Sequence, residues 1–162
     1  MQCEPVQLLP QHAWLRKLVG DWSIEMDCGP DDAGQPTVST GSESARMLGD
    51  IWVICEGRCA MPDGKSGQTM MTLGFDPARG KFVGTWLGTM MTNHWIYEGE
   101  LDESGNSLTL NTDGPDFEKP GAMRKYRDVI SFKSDTHRTL TSHVLGDDGK
   151  WTQFMQAHFR RK

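Results

Sequence analysis

Residues 68–111 read QTMMTLGFDPARGKFVGTWLGTMMTNHWIYEGELDESGNSLTLN. Thr69, Met71, Leu73 and Phe75 alternate with Gln68, Met70, Thr72 and Gly74, and Asp76-Pro77-Ala78-Arg79-Gly80 then breaks the run. Phe82, Gly84 and Trp86 alternate with Val83, Thr85 and Leu87, and Met91, Asn93, Trp95 and Tyr97 alternate with Thr92, His94 and Ile96. A side-chain period of two, broken every ~8–12 residues by turn chemistry, specifies an antiparallel meander. No helix fits in this stretch.

Toward the N-terminus, the spacing predicts a single helix from about Pro10 to Val19. Trp14, Leu15, Leu18 and Val19 share a face, and Gly20 is placed to end it. Strands follow: Trp22 to Cys28, Thr37 to Leu48 and Ile51 to Met61, separated by the Gly29–Pro36 loop and the Gly49-Asp50 turn. After the central ladder, whose last strand is Ser107 to Asn111, an irregular stretch is expected over Asp113 to Gly121. Strands are then expected over Met123 to Lys133, with Tyr126, Ile130 and Phe132 on one face, and over Arg138 to Leu145. The final strand would carry Trp151, Gln153, Met155, Ala157 and Phe159 on one side. Roughly ten strands with short connections and no crossover helix predict an all-β, up-and-down antiparallel barrel with one short N-terminal helix, because closure removes exposed edges. A sandwich is the alternative, since alternation alone does not separate the two.

The chain has 162 residues, 36% of them hydrophobic, and a formal net charge of -5, which suits one soluble domain over residues 1–162. The acidic balance disfavours nucleic acid, which would need a lysine and arginine face. No apolar run approaches the ~20 residues of a membrane helix, and the opening MQCEPVQLLP has no secretory-signal pattern. A cytoplasmic chain is the expectation. Four residues of strand separate Cys55 from Cys59 by about 13 Å, beyond the reach of a disulfide or a shared zinc. Both thiols read as small buried hydrophobes.

Gly20-Asp21-Trp22 after a short helix resembles the Gly-X-Trp opening of the lipocalin and calycin barrels. The resemblance implies that Trp22 closes one barrel end beneath an arginine near the chain end, Arg160 in the first instance or Arg161 as the alternative. A wider series is more specific: Leu18-Val19-Gly20-Asp21-Trp22, Arg46-Met47-Leu48-Gly49, Gly74-Phe75-Asp76, Phe82-Val83-Gly84-Thr85-Trp86 and Tyr97-Glu98-Gly99. It resembles the bacterial family known as domain of unknown function 1579. A lipocalin-like barrel is implied, and no activity comes with it.

Met70, Met71, Met90 and Met91 sit in pairs on adjacent strands, so one of each pair is expected inside. Methionine suits irregular apolar binding surfaces. With Trp86, Trp95 and Tyr97 nearby and Asn93 as a polar contact, the candidate ligand wall is Met71, Trp86, Met91, Asn93, Trp95 and Tyr97. Arg46, Glu56 and Arg58 read as a solvated barrel face, with carboxylate binding as the sharper alternative. The five histidines show no metal spacing, and no nucleophile elbow, phosphate loop or His-Glu-x-x-His is present. Resemblance to the nitrobindin barrels implies haem through His158 or His143, although their glycine-repeated Gly-X-Trp opening has no clear counterpart here. The expectation is a binder of a small, mainly apolar molecule. Its rivals are an enzyme using a polar cluster inside the barrel, and a homodimeric interaction module with a filled interior.

Overall fold

The computed structural model describes residues 3–162. Ten strands follow one short helix, α1 (Pro10–Leu15). They are β1 (Gly20–Pro30), β2 (Pro36–Leu48), β3 (Trp52–Ala60), β4 (Ser66–Asp76), β5 (Lys81–Gly88), β6 (Trp95–Leu101), β7 (Ser107–Pro115), β8 (Met123–Ser134), β9 (His137–Leu145) and β10 (Trp151–Arg161). Each pairs antiparallel with its sequence neighbours, and β1 also pairs with β10, which closes the barrel. The sandwich alternative is thereby removed. No helix among the described residues is long and apolar enough to cross a membrane.

The helix is shorter than the periodicity predicts. After Leu15 the chain tightens into a 3-10 turn over Arg16–Leu18, and Val19 is already extended. Gly20 starts β1 rather than capping a helix. It has φ +128, and a Cβ there would lie 2.4 Å from the Arg161 guanidinium, so the residue must lack a side chain. At the start of α1, His12 Nδ1 accepts the Leu9 N–H at 3.0 Å. Its Nε2 is therefore the protonated nitrogen, and it donates to the Phe75 carbonyl at 3.2 Å.

Three strand boundaries or parities also differ. β6 begins at Trp95, not Met91, because β5 ends at Gly88 and leaves residues 89–94 without a pairing partner. β7 runs on to Pro115, since Thr112 and Gly114 still pair with Tyr126 and Arg124. In β10, the register shifts between Gln153 and Met155. This bulge moves Trp151 and Gln153 off the face that carries Met155, Ala157 and Phe159. Trp151 stacks outside on Arg127, whose guanidinium carbon is 4.1 Å from the ring centroid.

The helix plugs one end of the barrel. Leu15 of the helix, Leu18 of the turn after it, and Val53, Leu73, Leu108 and Ile130 of the strands beneath are fully buried. Trp14 meets Phe82 and Phe132 edge-on at 5.8 and 5.6 Å. Its indole N–H donates to the Gly105 carbonyl at 2.7 Å, so its polar atom is satisfied where its ring is packed. Trp22 is likewise fully buried and donates to the Leu18 carbonyl at 2.9 Å. The arginine over Trp22 is Arg161, not Arg160. Arg161 stacks 4.2 Å from the ring and donates to the Val19 and Lys17 carbonyls, whereas Arg160 lies outside beside Glu25.

Candidate functional site: the open half of the barrel

Strand parity decides what the interior contains. On β6, Trp95, Tyr97 and Gly99 are buried while Ile96, Glu98 and Glu100 are exposed. The same alternation turns Met71 of β4 and Trp86 of β5 inward, and Met26, Leu140, Met155 and Ala157 join them from β1, β9 and β10. These side chains do not fill the space. They enclose a cavity of about 700 Å³, bounded at the end away from α1 by side chains of the connecting loops. The filled interior required by the interaction-module reading is absent.

Six of the ten methionines line this cavity: Met26, Met61, Met71, Met90, Met91 and Met155. Near its mouth is an aromatic arc. Tyr126 is edge-on to Trp95 at 5.1 Å, to Phe154 at 6.1 Å and to Phe117 at 6.4 Å. Trp95 can lie against β7 only because residue 114 is glycine, where a Cβ would fall 2.1 Å from the indole. The Trp95 N–H points to the Met91 sulfur at 3.1 Å.

The structure thus brings Met71, Trp86, Met91, Trp95 and Tyr97 to one cavity, with Met91 arriving from the β5–β6 loop rather than from a strand. Asn93 is not among the cavity-lining residues. Its amide nitrogen is buried without a hydrogen-bond partner in that loop. Arg46 and Glu56 lie exposed on the outer face, and Arg58, also exposed, reaches only the rim.

Sequence reasoning missed the polar groups inside. Glu43 of β2 and Arg138 of β9 form a buried ion pair, and Arg138 is sandwiched between Phe159 at 3.9 Å and Trp22 at 4.8 Å. Burial pushes the Glu43 carboxyl up and the Arg138 guanidinium down, and each partner pulls the other back toward its charged form. The same burial, reinforced by Glu43, drives the Cys55 thiol well above its ordinary range and keeps it protonated. A second cluster surrounds Asp128 of β8. Tyr97 donates its hydroxyl to one carboxylate oxygen, and Ser142 donates to the other at 2.5 Å. Burial raises the Asp128 pKa against these two hydrogen bonds. Tyr97 is raised well above its usual value by burial and by the neighbouring carboxylate.

The sequence matches the family described as a protein of unknown function, DUF1579, over residues 7–161. The chain belongs to this family. No functionally curated protein matches it in sequence. Among solved structures, it is similar to the S-type phycobiliprotein lyase CPES from Guillardia theta, at 14% identity and a TM-score of 0.57. That match covers 93% of this chain and 91% of the lyase. Similarity also extends to EF1p2_mFAP2b bound to DFHBI, at 14% identity and a TM-score of 0.47 over 94% of this chain and 99% of that one. These likenesses concern the barrel fold.

A histidine-ligated haem does not fit the cavity. His158 stacks on His137 with ring centroids 5.3 Å apart, and His143 lies beside the Arg127 carbonyl at 3.4 Å. Neither lines the cavity, and among the described residues no histidine does. No group of three metal-ligating side chains occurs among the described residues either.

Proposed function

We propose that this protein binds a small, mainly apolar molecule in the open half of its barrel. The observation that carries this reading is the methionine- and tryptophan-lined cavity of about 700 Å³. That volume falls within the ~300–1,000 Å³ typical of small-molecule sites, and a few convergent polar groups accompany the apolar wall. Methionine sulfurs and unbranched stems adjust to a ligand's outline, while the packed aromatic end holds the frame still.

The test uses N-phenyl-1-naphthylamine, a neutral probe whose fluorescence rises in apolar surroundings. One probe per protein is expected, and Ala157→Trp, which fills the cavity from β10, abolishes the signal while the circular dichroism spectrum is kept. Probe binding unchanged in the folded Ala157→Trp variant would overturn the reading. Native mass spectrometry of protein from its own host would then identify the retained molecule.

Catalysis is a second reading with one observation behind it, the buried Asp128 carboxyl of raised pKa beside Tyr97. The two readings separate on whether a ligand recovered from the protein survives prolonged incubation unchanged.

A further inference from the structure

The two polar clusters of the cavity are electrically unlike. Glu43 faces a guanidinium, so that pair is balanced within the protein. Asp128 is not balanced. Both of its hydrogen-bond donors, Tyr97 on β6 and Ser142 on β9, are neutral hydroxyls, and its cross-strand neighbour on β7 is Leu110. Arg127, next in sequence, points outward to Trp151 and Asn111. His143 is the positive-capable group that acts on Asp128, and it does so from outside the cavity wall. No lysine or arginine among the described residues pairs with this carboxylate.

A carboxylate deep in a protein without a counterion is costly. Asp128 is only half-buried by surface, although it lies inside the barrel wall, because it borders the cavity. Whatever occupies that cavity therefore meets a carboxylate in need of positive charge. The surrounding wall has the matching character. Trp86, Trp95, Tyr97 and Tyr126 contribute aromatic rings, and ring faces attract organic cations. The cavity offers little to an anion. Arg138 is neutralised by Glu43 and held between two rings, and Arg58 remains on the exposed rim.

We propose that the ligand is a cationic amphiphile, a protonated amine or quaternary ammonium on an apolar body, whose nitrogen lies against Asp128 within the aromatic wall. This rests on the cavity-binding reading and adds the charge and orientation of the occupant. The apolar body lies along the methionines of the cavity wall.

Three ligands of equal chain length separate the alternatives by titration calorimetry below their micelle concentrations: decyltrimethylammonium, decanol and decanoate. The expected order places the ammonium about tenfold or more ahead of the alcohol, with decanoate weakest. Asp128→Asn should erase the advantage of the ammonium and leave decanol affinity within about twofold to threefold, while Asp128→Glu should retain the advantage. Decanol binding in each variant doubles as the check that barrel and cavity are intact. Equal affinity for ammonium and alcohol, tightest binding of decanoate, or an ammonium preference that survives Asp128→Asn would each overturn the proposal. In all three cases N-phenyl-1-naphthylamine would still bind and the cavity reading would stand. If neither that probe nor any decyl ligand binds, both fall together.

Discussion

At the helix-plugged end of the barrel, Trp22, Leu73, Leu108 and Ile130 are fully buried, whereas at the other end Val38, Phe117 and Phe154 expose 53%, 66% and 58% of their surface. The same strands build both ends. What changes along them is the kind of apolar side chain. Branched aliphatic residues around Trp22 fill the closed end, while at the open end methionines and partly exposed aromatic rings line the wall and leave a cavity. The tightest burial thus lies away from the cavity. The open half keeps its empty volume because the closed half supplies the packing.

The sharpest way to break this contrast is Trp22→Ala. It removes a fully buried indole together with the ring on which Arg138 and Arg161 stack. A loss of about 3–5 kcal/mol is expected in urea unfolding, enough to unfold a marginal domain. Arg161→Ala ranks next at about 1–2 kcal/mol, since stacking and hydrogen bonds to the Val19 and Lys17 carbonyls disappear together. Arg160→Ala, one residue away on the exposed face, should stay within about 0.5 kcal/mol of the parent in the same assay. Equal effects at the two arginines would refute the assignment of barrel closure to Arg161. At the open end, stability and binding should separate. Phe154→Ala should cost less than about 1 kcal/mol, yet weaken N-phenyl-1-naphthylamine binding severalfold, because the ring already faces water and the cavity. A large unfolding effect there would show that the open end is also a stability element.

Much of the barrel was legible because alternation and turn residues are local signals. Gly, Pro and Asp punctuate nearly every strand, and alternation sorts each strand into two faces without saying which of them points inward. The bulge in β10 was not legible, since the extra residue leaves an apolar pattern that reads equally well without it. Met91 was placed on a strand because its alternation runs on into Trp95, although no partner strand reaches that far. The polar interior was missed for a different reason. A charged residue in a strand ordinarily faces water, so residue type alone does not single out Glu43, Asp128 and Arg138 as interior. Asp128 did leave a trace. It shares its parity with Tyr126, Ile130 and Phe132, the face already assigned to the core. Which of these carboxylates finds a basic partner depends on residues far away in sequence, as with Glu43 and Arg138, and pairing at that range cannot be read from strand patterns.

The seam between β1 and β10 has a consequence for how the molecule is made. Ser23 meets Arg160 there across 137 positions of chain, whereas every other strand pairs with the strand beside it in sequence. During synthesis the edge of β1 that meets β10 therefore has no native partner until the last strand exists. Non-local pairing of this kind is slow to form, and an unpaired edge is a template for the wrong neighbour. Trp22, itself paired with Arg161 in the seam, has its arginine lid only after the last pairing is made, so the residues that seal the barrel also mark its completion.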